Sequence, residues 1–188
     1  MKCPFCKKEL KTQSGFDKHM CEKKSRYVNF DVLAFFVWKC WNKFVGLKLG
    51  ADEEKNKLRF INSREYKDFV SFSKYLEDVN PYDCSDFVKY LVRIKLPVNK
   101  WTGTKVYHNW VLDFEKREGK EVSIVRSKKF IESQNIDIKN ISESRLYNYL
   151  YNGRISPWYI DYVDRNLFFK MENDLLAKLK DIIEIIVK

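Results

Sequence analysis

Four residues near the start of the chain, Cys3, Cys6, His19 and Cys21, have the types and spacing that hold a metal ion. Cys3 and Cys6 form C-x2-C, a turn that aims two thiolates at one centre, and twelve residues separate Cys6 from His19. Cys21 follows two positions after the histidine. On a continuous helix, residues two apart point about 200° away from each other, so Cys21 completes the set only if a helix stops at His19 and the chain turns back. Thiolate and imidazole ligands in a closed four-coordinate site suit Zn2+, and a closed site offers no position to a water nucleophile. The expected metal is therefore structural. Without it, roughly twenty residues would have almost no core and no reason to fold.

Leu10 and Phe16 extend the spacing to C-x2-C-x3-L-x5-F-x2-H. This pattern resembles the C2H2-type zinc finger at every position through His19, with Cys21 making a C2HC variant. The resemblance implies a small ββα module over residues 1–25, with Leu10 and Phe16 as its apolar core. It also implies base contacts from helix positions −1, 3 and 6, which fall on Thr12, Gly15 and Lys18. Gly15 offers no side chain, and a lone finger covers about three base pairs, so sequence-specific reading by the finger is not expected. Backbone contact is expected instead. Lys2, Lys7, Lys8, Lys11, Lys18, Lys23, Lys24 and Arg26 surround the ligands, against Glu9, Asp17 and Glu22.

The whole chain shares that sign. Its 188 residues carry 36 Lys and Arg against 26 Asp and Glu, a net charge of +10, which points to an anionic partner and most often to nucleic acid. The length allows one domain of ordinary size plus a small appendage. No run of 18 uninterrupted apolar residues occurs and the first residues lack the order of a signal peptide, so a soluble protein of the cytoplasm, away from membranes, is expected. Of the five cysteines, Cys40 and Cys84 lie among apolar neighbours and read as buried thiols rather than parts of a disulfide framework.

Residues 26–188 read as an all-α domain, making the fold class mainly α behind a ββα finger. Leu33, Phe36, Val37, Cys40, Trp41 and Phe44 recur with the helical period, capped by Asn29 or Asp31 and ended at Gly46. Residues 48–58 read as a polar loop, followed by a short hairpin around Leu58–Ile61. Helices are then expected after Ser63, after Asn80-Pro81, from Thr104 to Gly119, over Val122–Ile131, from Ser142 or Ser144 to Gly153, and from Ser156-Pro157. The apolar run Leu167–Val187 closes the chain as a helix with a break near Asn173, a strand over IIEIIV being the alternative.

Catalytic motifs are absent from the sequence, and the chain is read as a non-enzyme. His108 has no partner motif, and the carboxylate pairs Glu53-Glu54 and Asp161-Asp164 read as helix faces or loops. The remaining signal is basic and aromatic interleaving, KWTGTKVYH around Trp101 and Lys105, and RLYNYLYNGRISPWY with Arg145, Arg154 and Trp158. Rings beside cations suit single-stranded nucleic acid, and the Gly153 to Trp158 turn is expected to be exposed.

Over residues 3–26, ending in HMCEKKSR, the chain resembles small zinc-finger proteins of large tailed bacteriophages. The helical body resembles phage helicase loaders at the level of class alone. These resemblances imply an accessory protein of replication, recombination or transcription in the host cytoplasm, binding DNA more than RNA and working beside partner proteins. The alternative is a structural or assembly protein of the virion, docking through the finger and the C-terminal helix.

Overall fold

The computed structural model describes residues 1–164, 166–169 and 173–187. Among them run twelve α-helices: α1 (Gln13–Lys18), α2 (Glu22–Val28), α3 (Val32–Phe44), α4 (Glu53–Ile61), α5 (Tyr66–Val79), α6 (Cys84–Arg93), α7 (Thr104–Glu118), α8 (Lys120–Ser133), α9 (Glu143–Tyr151), α10 (Pro157–Asp164), α11 (Asn166–Phe169) and α12 (Asn173–Val187). The expectation of a mainly helical body holds. The two strands of the finger do not form among the described residues, where a single antiparallel bridge between Lys2 and Glu9 stands in their place. The reason is local. Pro4 has no N–H to give a ladder, Lys7 turns left-handed at φ 64°, and Thr12 already caps α1, so only four residues lie between the turn and the cap of the next element.

Contacts gather the chain into two compact units, Met1–Tyr75 with Leu91–Trp101, and Leu76–Tyr90 with Thr102–Lys188. In the first, Asp31 caps α3 by accepting from the Ala34 N–H at 2.7 Å, and its other oxygen takes the Ser73 hydroxyl of α5 at 2.6 Å. The buried face of α3 is Ala34, Phe35, Val37, Trp38 and Asn42, while Phe36 is exposed. The expected stripe is thus turned by about one residue, or 100° of the wheel. Because residues 32–38, VLAFFVW, are all apolar, this helix carries no phase of its own and packing chose it. Phe35 and Trp38 meet Phe60 with ring centroids 5.6 and 5.7 Å apart, and Phe69 and Phe72 close on Trp101 at 5.9 and 5.1 Å.

Residues 53–61 are helical, correcting both the loop expected over 48–58 and the hairpin at Leu58–Ile61. Asp52 accepts from the Lys55 N–H at 3.0 Å, Glu53 and Glu54 sit in the first turn where the helix dipole favours acids, and Asn56, Phe60 and Ile61 are buried. The helix after Asn80-Pro81 begins at Cys84, because Asn80 takes a left-handed φ of 43° behind α5 and Asp83 supplies the cap to the Asp86 N–H at 2.8 Å.

The second unit packs α10 on α8 and α12 on α7, α9 and α10. Its core includes Phe87, Tyr107, Trp110, Val111, Leu150, Ile155, Ile160, Leu179 and Ile182, all with no more than a trace of exposure. Residues of IIEIIV lie within α12, so the strand alternative is not what forms; the Asn173 break borders residues outside the described ones. The Gly153 to Trp158 turn is also corrected. Gly153, Ile155, Ser156 and Pro157 are buried. They are held by polar groups: Arg126 donates to Glu115 at 2.7 Å, to Glu118 at 2.7 Å and to the Gly153 carbonyl. The Ser156 hydroxyl donates to Glu115 at 2.6 Å, and its N–H donates to the Ser127 hydroxyl at 2.8 Å. A turn can be buried when its polar groups are paired, and here a buried arginine and carboxylate pair them.

Candidate metal centre and basic surface

The finger begins with a knuckle in which the Lys7 N–H donates to the Cys3 carbonyl at 3.0 Å and the Cys3 N–H to the Lys8 carbonyl at 2.9 Å. This brings the two sulfurs of C-x2-C to one side. Thr12 then caps α1, its hydroxyl accepting from the Gly15 N–H at 3.1 Å. A Cβ on Gly15 would lie 2.9 Å from that hydroxyl oxygen, so glycine here makes room for the cap. Helix α1 stops where the ligand spacing requires. His19 leaves the helix at φ −69°, ψ 116°, and the chain turns back through Met20.

The turn brings Cys21 to the centre. One ligand atom from each of Cys3, Cys6, His19 and Cys21 lies within 4.8 Å of every other, and Cys6 Sγ is 3.2 Å from His19 Nε2. A tetrahedral thiolate and imidazole site with bonds of about 2.0–2.3 Å has ligand-to-ligand edges of about 3.4–3.8 Å, so an ion requires shifts of only about an ångström. The four residues are close enough to hold a metal. Cys3 is buried and the other three are half-buried.

Electrostatics favour an ion at this point. The Cys6 N–H pulls the Cys3 thiol below its ordinary value, with help from the Phe5 N–H and against the effect of burial. The Lys8 N–H acts the same way on Cys6, but burial and the nearby Cys3 and Cys21 sulfurs outweigh it and push the Cys6 thiol up. Backbone donors thus welcome thiolate while the crowding of sulfurs resists several charges at once. A cation removes that resistance.

Cys21 has a second role that the spacing did not reveal. It is the N-cap of α2, its sulfur accepting from the Lys24 N–H at 3.4 Å. Helix α2, absent from the sequence reading, ties the finger to α4 and α5. Phe5 of the knuckle lies 5.1 Å from the Tyr27 ring, and the Tyr27 hydroxyl donates to Glu54 at 2.6 Å. Arg26 donates to the Ile61 carbonyl at 2.9 Å, with its guanidinium 4.5 Å above the Tyr66 ring. The signal available for α2 was Glu22 four residues before Arg26, and they pair at 2.6 Å.

The structure sorts the predicted nucleic-acid contacts. Lys8, Lys11, Lys18 and Lys23 are exposed on the finger, and among the described residues none of the four has an ion-pair partner. Lys24 and Arg26 are half-buried and tied inward, Lys24 donating to the His19 carbonyl at 3.0 Å. Trp101 has no exposed surface and its indole N–H donates to the Leu96 carbonyl at 2.9 Å, so it offers no ring face to a base. In the second unit, Arg154 is half-buried and donates to the carbonyl of Asn80 at 3.1 Å and to its side chain. Lys105 and Arg145 are exposed, Arg145 donating to the Tyr149 hydroxyl at 2.8 Å, and Trp158 is half-buried.

Other candidates carry less. His108 approaches Asp181 at 3.4 Å beside the Tyr151 ring, and no third polar group among the described residues orients it. Glu53 and Glu54 pair with Lys39 and Lys57. No helix among the described residues is long and apolar enough to cross a membrane. No protein-family model, curated protein or solved structure matches the chain, so the metal-ready cluster and the charge around it are what its function must be argued from.

Proposed function

We propose that this chain is a non-enzymatic nucleic-acid-binding accessory protein that grips backbone phosphates with low sequence specificity, its finger held by a structural Zn2+. The observation that carries the reading is the set of exposed, unmatched cations Lys8, Lys11, Lys18 and Lys23 on a module that four ligands can fix in one shape. Phosphates need charge held at a spacing, and a rigid finger supplies it. Base reading has little support. The Thr12 hydroxyl is engaged as a helix cap and Gly15 has no side chain, which leaves Lys18 alone of the three reading positions. Zinc is the ion that three thiolates and one imidazole in a closed site select. Resemblance to phage zinc-finger proteins makes replication, recombination or transcription of DNA the setting proposed.

Four lysines on four phosphates predict a salt slope of about −3.6 for duplex DNA, hence about a 10²-fold loss of affinity between 50 and 200 mM salt. Fluorescence anisotropy with duplexes of unrelated sequence measures it. Replacing Lys8, Lys11, Lys18 and Lys23 together by Ala should flatten the slope and weaken all sequences alike. Absent or salt-insensitive binding at low ionic strength overturns the reading. The assembly-protein alternative loses part of its motive, since Leu179 and Ile182 of the C-terminal helix are already covered by their own unit.

A further inference from the structure

We propose that the outer edge of α10, formed by Trp158 and Tyr162 with Lys120 of α8 beside them, is a stacking platform for single-stranded nucleic acid. The proposal rests on the nucleic-acid reading above and deepens it, giving the second unit a contact of its own and the strand type it takes.

Tyr162 is 71% exposed, an unusual state for a large ring, and it stands one helical turn from Trp158. Side chains four apart on a helix share a face, so the two rings line one edge at a spacing a strand can follow. Trp158 is half-buried, and the Lys120 ammonium lies over its indole, 5.4 Å from the centroid. That cation sits on a flexible four-carbon stem and is exposed. It can leave the ring to a base and pair with the phosphate of the same nucleotide. Ring faces with an adjacent cation are what an unpaired strand needs, whereas a duplex keeps its bases stacked on each other and out of reach.

The start of α10 is fixed before any ligand arrives. Ser156, just ahead of α10, is buried, donates to Glu115 at 2.6 Å and receives the Trp158 N–H at 3.3 Å, while its own N–H reaches Ser127 of α8 at 2.8 Å. These bonds fasten the start of α10 to the helix that carries Lys120. A backbone held in place where Trp158 leaves it reduces the freedom lost on binding.

The test uses the full chain, an oligodeoxythymidylate single strand and a duplex of the same length. Trp38, Trp101 and Trp110 are buried and Trp41 is half-buried in the first unit, so the quenching that belongs to stacking on the platform is the part that Trp158→Phe removes and Trp41→Phe leaves in place. Wild type should show quenching that Trp158→Phe abolishes with only a small loss of affinity, since Phe keeps a ring. Tyr162→Ala, at an exposed position that folding tolerates, should weaken single-strand binding about 5- to 150-fold and duplex binding less than about twofold. Lys120→Gln should reduce the single-strand salt slope by about 0.7. If wild type binds DNA but Tyr162→Ala binds both forms as wild type does, the platform is refuted and the finger's role stands. If wild type binds neither form, both ideas fall together.

Discussion

Cys21 does two things that two substitutions can separate. Its sulfur belongs to the four-ligand cluster and also caps α2. Serine is among the best N-caps, so Cys21→Ser should keep the cap while losing the soft thiolate ligand; Cys21→Ala loses both. The energetic scale is set by structural zinc, about 10–16 kcal/mol in finger peptides, of which one ligand in four is roughly 3 kcal/mol, or about 10²-fold in affinity. A lost cap costs about 1 kcal/mol more. Metal per chain after dialysis against a competing chelator, with urea unfolding followed by circular dichroism, reads both quantities. Both variants should lose metal about equally, and only Cys21→Ala should destabilise the metal-free first unit, by about 1 kcal/mol. Cys40→Ser should keep full metal, since that thiol is half-buried on α3 away from the cluster. Full metal in Cys21→Ser together with loss in Cys40→Ser would refute the ligand assignment.

Removing the metal by chelation should deprotect the amides of residues 1–21 in hydrogen exchange while α3 and α5 keep theirs, because Phe60, Phe69 and Trp101 form a core that contains no finger residue; loss of protection across the whole first unit would show that the finger carries the fold. Arg126→Met leaves the Glu115 carboxylate buried beside Gly153 and Ser156 without its guanidinium, a loss of about 3–5 kcal/mol in urea unfolding that the double variant with Glu115→Gln should largely recover. Burial already pushes the Glu115 carboxyl up, so the folded state holds that proton more tightly than the unfolded chain does. With the arginine gone the rise is larger, and the cost of the substitution should grow as pH climbs from about 4.3, the unfolded value, through neutrality. A cost that shrinks with pH would show Glu115 to be ionised by some other group.

What could be read from the sequence was what depends on neighbours in the chain. The metal cluster was legible because its ligands lie within 19 residues, Cys3 to Cys21, and because the angular argument about two-residue spacing demanded the stop that the structure makes at His19. The C-terminal end of α7 was legible because a glycine follows its stripe, and Gly119 takes the left-handed φ of 80° that ends the helix, while its start at Thr104 follows Gly103 with no side-chain cap. The phase of α3 was not, since a run of seven apolar residues fits any face, and neither was α4, whose acids and lysines hide a stripe of only Asn56, Phe60 and Ile61. The largest misreading has one cause. Gly153 and Ser156 look like parts of an exposed turn because their partners, Arg126, Ser127 and Glu115, are 27 to 41 residues away and read as surface residues themselves, and the Arg154 side chain finds Asn80 at a separation of 74. A buried ion pair is invisible to composition, since each half reads as solvent-facing until the other half is found. The bonds to Glu115 and Ser127 anchor Ser156 and with it the start of α10. In that segment Trp158 stays half-buried at the surface, the Arg154 side chain is tied to Asn80, and the exposed ring of Tyr162 stands one turn beyond Trp158 on the same helix.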